Sequence, residues 1–176
     1  MYQNPPFRMP TMDPCYFCEI ISGTTDQWNV IERTALTITV LNGRQFEIGQ
    51  CMVMPNRHAQ TLFDLTVQED VGIMQAARRP SAASVKAFAP DGVLLYQNNG
   101  AGSGQEVPHY HFHVVPRQLG SDWGIGPPQL HKFPDAGRAP GTLHDPSSDG
   151  ARRQRARVNA ETLHEIATLV RKNLPQ

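Results

Sequence analysis

Residues 102–117 read GSGQEVPHYHFHVVPR, and three of the chain's seven histidines stand at alternate positions within them. Alternation is the period of a β-strand, so His109, His111 and His113 are predicted to leave the same face of one strand. The opposite face of that strand is apolar and is predicted to join the core. It consists of Tyr110, Phe112 and Val114.

A single metal ion cannot bind all three histidines of this row. At about 3.3 Å of rise per residue, His109 and His113 start roughly 13 Å apart on a strand. Ligand nitrogens must lie about 2 Å from a zinc ion, so one ion takes two neighbours at most. At least one histidine must therefore serve nucleophilic or acid–base chemistry, which imidazole offers near neutral pH.

Composition limits the class of protein. The 176 residues suffice for one domain with a core, and sixteen Lys and Arg balance sixteen Asp and Glu. This balance gives no argument for a nucleic-acid or membrane partner, and no apolar run approaches the roughly 20 residues of a membrane span. The start lacks the apolar core of a signal peptide, and three cysteines, two of them Cys15 and Cys18, favour a metal or redox role over disulfides. We therefore predict a cytoplasmic protein with neither nucleic acid nor membrane as a partner.

Secondary-structure signals precede the histidine row. Residues 35–42, 51–55 and 92–98 each have the β-branched and apolar pattern of a strand. Thr66 opens a capping-box pattern that predicts the start of a helix. Proline cannot donate the helical hydrogen bond, so Pro80 is predicted to kink or split that helix.

The chain divides into four predicted segments. An irregular N-terminal segment covers residues 1–13, and the ordered domain covers 14–117. A long loop rich in Gly and Pro covers 118–157, and a C-terminal helix covers 158–176. That helix has an apolar stripe, predicted to pack on the sheet or on a partner. The stripe is formed by Leu163, Ile166, Ala167, Val170 and Leu174.

Four blocks of sequence, in order, resemble the histidine triad family. They are CYFC, VLNGRQFEIGQCMVMPNRH, QNNGAGSGQEVPH and HYHFHVV, and together they span about residues 15–117. The resemblance implies an α+β fold, with an antiparallel sheet of about five strands and helices packed on it, and a homodimer. It also implies purine nucleotide substrates attacked at the α-phosphorus, such as dinucleoside polyphosphates, nucleoside phosphoramidates or adenylated amines and acids.

The resemblance assigns catalytic roles within the row. His111 matches the family nucleophile, which would form a nucleotidyl-histidine intermediate that water or phosphate resolves. His113 would face the phosphate oxygens or pass a proton to the leaving group. Because like charges lower each other's pKa, we expect one of the two to stay neutral while its neighbour is cationic. Gln105 matches a position that hydrogen-bonds the phosphate or leaving group.

The resemblance also implies a nucleotide-binding set. Asn98 joins Gln105 at the phosphate, and Gly104 lies in a Gly-rich loop whose N–H groups would approach phosphate closely. Asn42 stands where the family binds ribose hydroxyls. Four apolar residues would line the base pocket, with membership of the plain core as the alternative. They are Phe17, Ile20, Val40 and Val107.

Cys15, Cys18, His58 and His109 match the zinc site of some family members and form a closed set typical of structural zinc. Gln50 is a departure, because many members have a histidine there, and this removes a fourth catalytic histidine.

Two further classes of function stay open. The chain would otherwise be a non-catalytic nucleotide-binding regulator or scaffold, or a metal-centred hydrolase with His109 and His111 as paired ligands.

Overall fold

The computed structural model of the chain describes residues 7–43, 45, 47–119 and 160–176. Within these residues, five antiparallel strands form one sheet and three α-helices accompany it, which confirms the α+β prediction. In chain order the elements are α1 (Tyr16–Ser22), β1 (Val30–Arg33), β2 (Thr37–Leu41), β3 (Cys51–Pro55), α2 (Val67–Phe88), β4 (Gly92–Gln97), β5 (Phe112–Arg117) and α3 (Ala160–Lys172).

The strand order is β1-β2-β3-β5-β4, so the histidine-bearing strand β5 lies inside the sheet. His113 is paired across the ladder with Met52 of β3 and with Tyr96 of β4. The sequence did not predict strand β1, because its four residues, VIER, are half charged and too few for a period to emerge.

Strand β5 begins only at Phe112, so the prediction that one strand carries all three histidines is wrong for His109 and His111. The chain leaves the ladder because the Tyr110 amide donates to the Ala59 carbonyl at 2.6 Å rather than to a neighbouring strand. The predicted alternation of faces survives nevertheless, since Tyr110 packs in the helix-side core and the three histidines are buried elsewhere.

Each face of the sheet packs against helices, although the edge strand β4 stays partly exposed. One face packs with α2 and α3. Four residues of the apolar stripe of α3 are buried in that core, namely Leu163, Ile166, Ala167 and Val170. This stripe therefore offers no free surface to a partner. The other face forms a second cluster with α1, made of Phe17, Ile20, Ile38, Val40, Met52 and Met54.

Helix α2 begins at the predicted capping box, in which the Thr66 hydroxyl accepts from the Glu69 amide at 3.2 Å. The Glu69 carboxylate accepts from the Thr66 amide in return, at 2.8 Å. Pro80 does not split the helix, which runs unbroken to Phe88. Proline removes one hydrogen bond, and buried alanines on either side of Pro80 keep the helix packed on the sheet.

Some predictions fall outside the described residues. These are residues 1–6 of the N-terminal segment, 120–157 of the predicted loop and the first two residues of the predicted C-terminal helix. Among the residues that are described, no helix is both long and apolar enough to cross a bilayer.

Candidate active site and metal centre

The His111 ring is held by a backbone carbonyl. Its Nδ1 donates to the carbonyl of His109 at 2.7 Å, so in the neutral ring Nε2 carries the lone pair. Phe17 lies against the ring in a T-shaped arrangement, with centroids 5.1 Å apart. The ring is only 7% exposed. This arrangement fixes the tautomer that a histidine nucleophile requires.

The His113 ring lies next to His111, with centroids 5.0 Å apart and the planes nearly perpendicular. Tyr96 stacks on its other side at 4.5 Å. The Gln50 side-chain amide donates to His113 Nδ1 at 3.2 Å, although Gln50 and His113 are 63 residues apart. Sequence reasoning recorded Gln50 only as a departure from the family, so this contact was missed.

Burial favours the neutral form of both rings. Burial lowers the pKa of His111, and the hydrogen bond to His109 with the charge of Glu106 offsets this only in part. Burial, with the neighbouring His111, holds the pKa of His113 well below its usual range. Desolvation therefore disfavours the charged form of each ring in the ligand-free protein, and the expectation that one of the pair is cationic stays a prediction.

The Gly-rich loop is closed by Gln105, which is fully buried. Its amide nitrogen donates to the carbonyls of Gln60 and Val107 at 2.7 and 3.0 Å. Its oxygen accepts from the Gly100 amide at 2.7 Å. Both amide protons are thus taken up by the backbone, and the predicted contact of Gln105 with phosphate would require one of these bonds to be exchanged.

The other predicted loop residues lie side by side. A Cβ added to Gly104 would be 3.9 Å from Asn98 Nδ2, so the two positions are adjacent. The Gly104 amide donates to the Ala101 carbonyl at 3.0 Å. A phosphate bound by that amide would replace this bond.

The four predicted base-pocket residues meet in one place. Phe17, Ile20 and Val40 belong to the apolar cluster on the α1 side of the sheet, and Val107 packs against it. Ile20 and Val40 have no exposed surface, whereas Phe17 retains 4%. Ile20 and Val40 therefore support the floor beneath Phe17 rather than offering a contact surface of their own.

Asn42 follows strand β2 at the turn toward β3. Its amide donates to the Gln50 carbonyl at 2.9 Å, and its own carbonyl accepts from the Gln45 side chain. The predicted ribose-binding residue is thus tied to the residue that contacts His113.

The four predicted metal ligands converge. Their ligand atoms all lie within 4.8 Å of one another. Cys18 Sγ is 3.2 Å from His58 Nδ1 and 3.5 Å from His109 Nδ1, and Cys15 Sγ is 3.9 Å from the same His109 nitrogen. Tetrahedral zinc with bonds of about 2.0–2.3 Å separates its ligand atoms by roughly 3.3–3.8 Å, so the set fits zinc.

The environment of His109 suits a ligand. Its Nε2 donates to the Pro55 carbonyl at 3.1 Å, which leaves Nδ1 as the lone-pair atom beside the thiols. Burial lowers the pKa of His109 to about 4, so the ring is neutral. Without a cation, burial and the neighbouring Cys15 raise the pKa of Cys18 to about 11. A bound divalent ion would reverse this and hold the thiolate.

The loop that carries His58 is tied to helix α2. Arg57 donates to both carboxylate oxygens of Glu69, at 3.0 and 2.8 Å, and to the Asp64 carbonyl at 2.7 Å. The hydrogen bond with Arg57 is the main reason that the pKa of Glu69 is lowered to about 2. This ion pair sets the position of the adjacent metal ligand.

Comparison with known proteins places this geometry in a family. Residues 26–120 match the HIT domain. An adenosine 5′-monophosphoramidase from Schizosaccharomyces pombe is 30% identical over 112 residues, which is 64% of this chain and 80% of the relative. An adenylylsulfatase from Arabidopsis thaliana is 27% identical over 140 residues, covering 65% of this chain and 71% of the relative.

The fold of this chain is also similar to that of solved structures. A Zn-bound histidine triad family protein from Mycobacterium smegmatis superposes with a TM-score of 0.65 at 24% identity, over 91% of this chain and 92% of that one. With the HIT domain match covering more than half of its length, this chain belongs to the histidine triad (HIT) family.

Proposed function

We propose that this protein is a nucleotide hydrolase or nucleotidyltransferase that attacks the α-phosphorus of its substrate with His111. The observation that carries the proposal is the bond from His111 Nδ1 to the His109 carbonyl, in a ring that burial keeps neutral. A neutral imidazole with its lone pair on Nε2 is a competent nucleophile at pH 7.

The reaction then has two steps. His111 Nε2 forms a bond to the α-phosphorus, while the bond from phosphorus to the leaving oxygen or nitrogen breaks and the leaving group takes the electron pair. His113 contacts the phosphate oxygens or, when the charge of bound phosphate raises its pKa enough to protonate it, gives a proton to that leaving group. Water or phosphate next attacks the nucleotidyl-histidine, which releases a nucleotide and restores the free ring. Two lower barriers replace one high barrier.

The substrate class in this proposal is a purine nucleotide whose α-phosphorus carries an amine, a sulfate or a second nucleotide as the leaving group. The names of the two relatives, an adenosine 5′-monophosphoramidase and an adenylylsulfatase, support hydrolysis of adenylate derivatives. Asn42 would bind the ribose and Phe17 would face the base, while Asn98 and Gly104 would meet the phosphates. Gln105 would act by holding the loop in shape, given its three backbone contacts.

Zinc in this proposal is structural. Cys15, Cys18, His58 and His109 supply four ligands, which leaves no coordination position open for substrate. The bound ion would tie α1 to the loop after β3 and to the segment before β5. The alternative of a metal held jointly by His109 and His111 is disfavoured, because His109 turns Nδ1 to the thiols and Nε2 to Pro55.

We further propose a cytoplasmic homodimer. Strand β4 is an edge of the described sheet and exposes Leu95, and α2 exposes an apolar row of Val67, Val71, Met74 and Val85. An unpaired edge beside exposed apolar side chains is suited to pairing with a second copy.

Single-turnover labelling tests the proposed function. Adenosine phosphoramidate and diadenosine polyphosphate, each labelled at the α-phosphorus, are mixed with wild type, His111→Asn and His164→Asn. We expect a labelled protein in wild type and in the His164 control, whose side chain is exposed on α3, and none in His111→Asn. Multiple turnover should fall by several orders of magnitude in His111→Asn, while nucleotide binding survives.

Two results would contradict the proposal. A His111→Asn protein that keeps a tenth of the wild-type rate would exclude His111 as the nucleophile. A wild-type protein that binds AMP but never becomes labelled or turns over substrate would instead be a nucleotide-binding regulator.

A further inference from the structure

Gln50 stands at a position where a titratable histidine would be expected from the resemblance, and the side-chain amide of Gln50 contacts His113. Its nitrogen donates to Nδ1 of His113 at 3.2 Å. An amide NH₂ group only donates, so the nitrogen it meets must carry a lone pair. In a neutral imidazole the proton then resides on Nε2.

The His113 ring offers no competing partner of comparable strength in the described contacts. Tyr96 stacks on one face, and His111 meets it edge to face. The ring is 7% exposed, and burial keeps it neutral. The neighbour of Nδ1 therefore decides which of the two neutral tautomers is populated.

Gln50 is itself held in place. Its amide N–H donates to Gln45 Oε1 at 3.0 Å, and its carbonyl accepts from Gln45 Nε2 at 3.0 Å. Gln45 Oε1 also accepts from the Gly49 amide at 2.7 Å, and the Gln45 and Gln50 side chains are both fully buried. The backbone of Gln50 is thus fixed by Gln45 and its side chain is buried. Together these limit the freedom of the Gln50 amide to turn away from His113.

We propose that Gln50 is a positioning residue that locks His113 in the tautomer with its proton on Nε2, so that His113 acts as a hydrogen-bond donor to the phosphate and not as a base. His111 and His113 then form an asymmetric pair, with a lone pair on Nε2 of the first and a proton on Nε2 of the second. The catalytic consequence rests on the proposed function, whereas the tautomer itself does not.

The test compares Gln50→Glu, Gln50→Met and the control Gln68→Glu, an exposed glutamine in the first turn of α2. Proteins labelled with ¹⁵N-histidine are followed by long-range ¹H–¹⁵N spectra, which distinguish Nδ1–H from Nε2–H and report protonation. Wild type and Gln68→Glu should show His113 as the Nε2–H tautomer. A carboxylate at position 50 accepts rather than donates, so Gln50→Glu should move the proton to Nδ1 or make the ring cationic.

Kinetics give the second measurement. A neutral His113 with its proton on Nδ1 has lost the donor to the phosphate oxygen, so a Gln50→Glu protein in that tautomer should show kcat lowered by roughly 100-fold with a smaller change in KM. A cationic ring keeps Nε2–H and should not show this fall. Gln50→Met, which carries no new charge, should give a mixture of tautomers and an intermediate rate.

A wild-type spectrum with His113 as Nδ1–H would overturn the proposal, as would an unchanged tautomer in a folded Gln50→Glu. If Gln50→Glu does not fold, Gln50→Met decides the question. A Gln50→Met protein with a pure Nε2–H tautomer of His113 and the wild-type rate would also overturn the proposal. A wild type without turnover on any substrate would refute the proposed function, and the spectra would still decide the tautomer.

Discussion

Replacing Glu69 with glutamine should weaken the fold by about 2 kcal/mol at pH 7, and the loss should shrink in acid. The Glu69 carboxylate accepts from Arg57 and from Thr66, and its pKa falls from an ordinary 4.5 to about 2. At about 1.4 kcal/mol per pKa unit, that shift corresponds to an upper bound of roughly 3.5 kcal/mol. Arg57 is half exposed, so solvent screening reduces the expected value to about 2 kcal/mol.

The sign of the pH dependence follows from the lowered pKa. A carboxylate whose pKa is depressed in the folded state stabilises the protein above its unfolded pKa, and this contribution is lost as pH falls from 4.5 toward 2. Urea unfolding of wild type and Glu69→Gln is measured from pH 7 to 3.5 in the presence of chelator, so that metal release does not enter the difference.

The matched control is Asp70→Asn, which removes an exposed carboxylate from the same helical turn. It should cost only a few tenths of a kcal/mol, the usual range for a charge near a helix N-terminus. The reasoning fails if Glu69→Gln costs no more than this control at pH 7, or if its cost is the same at pH 3.5 as at pH 7.

Three further results are expected. Cys18→Ser should lose bound zinc and melt at a lower temperature than wild type. The control Cys51→Ser removes a buried thiol outside the cluster and should keep its metal. Wild-type protein purified without metal would refute the zinc site. Wild type should prefer ribonucleotides to deoxynucleotides in kcat/KM, and Asn42→Ala should erode that preference before the chemical step. Equal wild-type values would remove Asn42 from the ribose site. Light scattering should give a dimer mass at micromolar protein, and a monomer mass would contradict the proposed pairing.

Sequence periodicity predicted the helices and strands that are determined by residues close together in the sequence. Thr66 and Glu69 form their capping box within three residues, and the alternating residues of β2 and β5 set which side chains are buried on each face. Strand β1 and the late start of β5 depend on non-local partners instead. The Tyr110 amide is drawn to Ala59, 51 positions away, and no pattern around Tyr110 reports this.

The candidate site divides in the same way. Its residue types were predictable from spacing and resemblance, and the four metal ligands do converge. What the spacing could not give is the direction of each amide and imidazole. Gln105 turns inward to the backbone, and Gln50 reaches His113 across 63 positions. The direction of a hydrogen bond depends on which groups surround the side chain in the folded protein. These groups come from distant parts of the chain and cannot be identified from a single sequence.

The short segment 109–113 gives three imidazoles three different environments. The orientation of the His109 ring follows from two contacts: Nδ1 lies beside the Cys18 thiol, and Nε2 donates to the Pro55 carbonyl. The carbonyl of His109 in turn accepts from His111 and so fixes its tautomer, whereas His113 accepts from Gln50, which lies just before β3. A metal that holds the His109 ring therefore also holds the peptide that orients His111. A zinc ion bound by the four proposed ligands would therefore influence His111, the proposed nucleophile, through one backbone carbonyl and without contacting the reacting atoms.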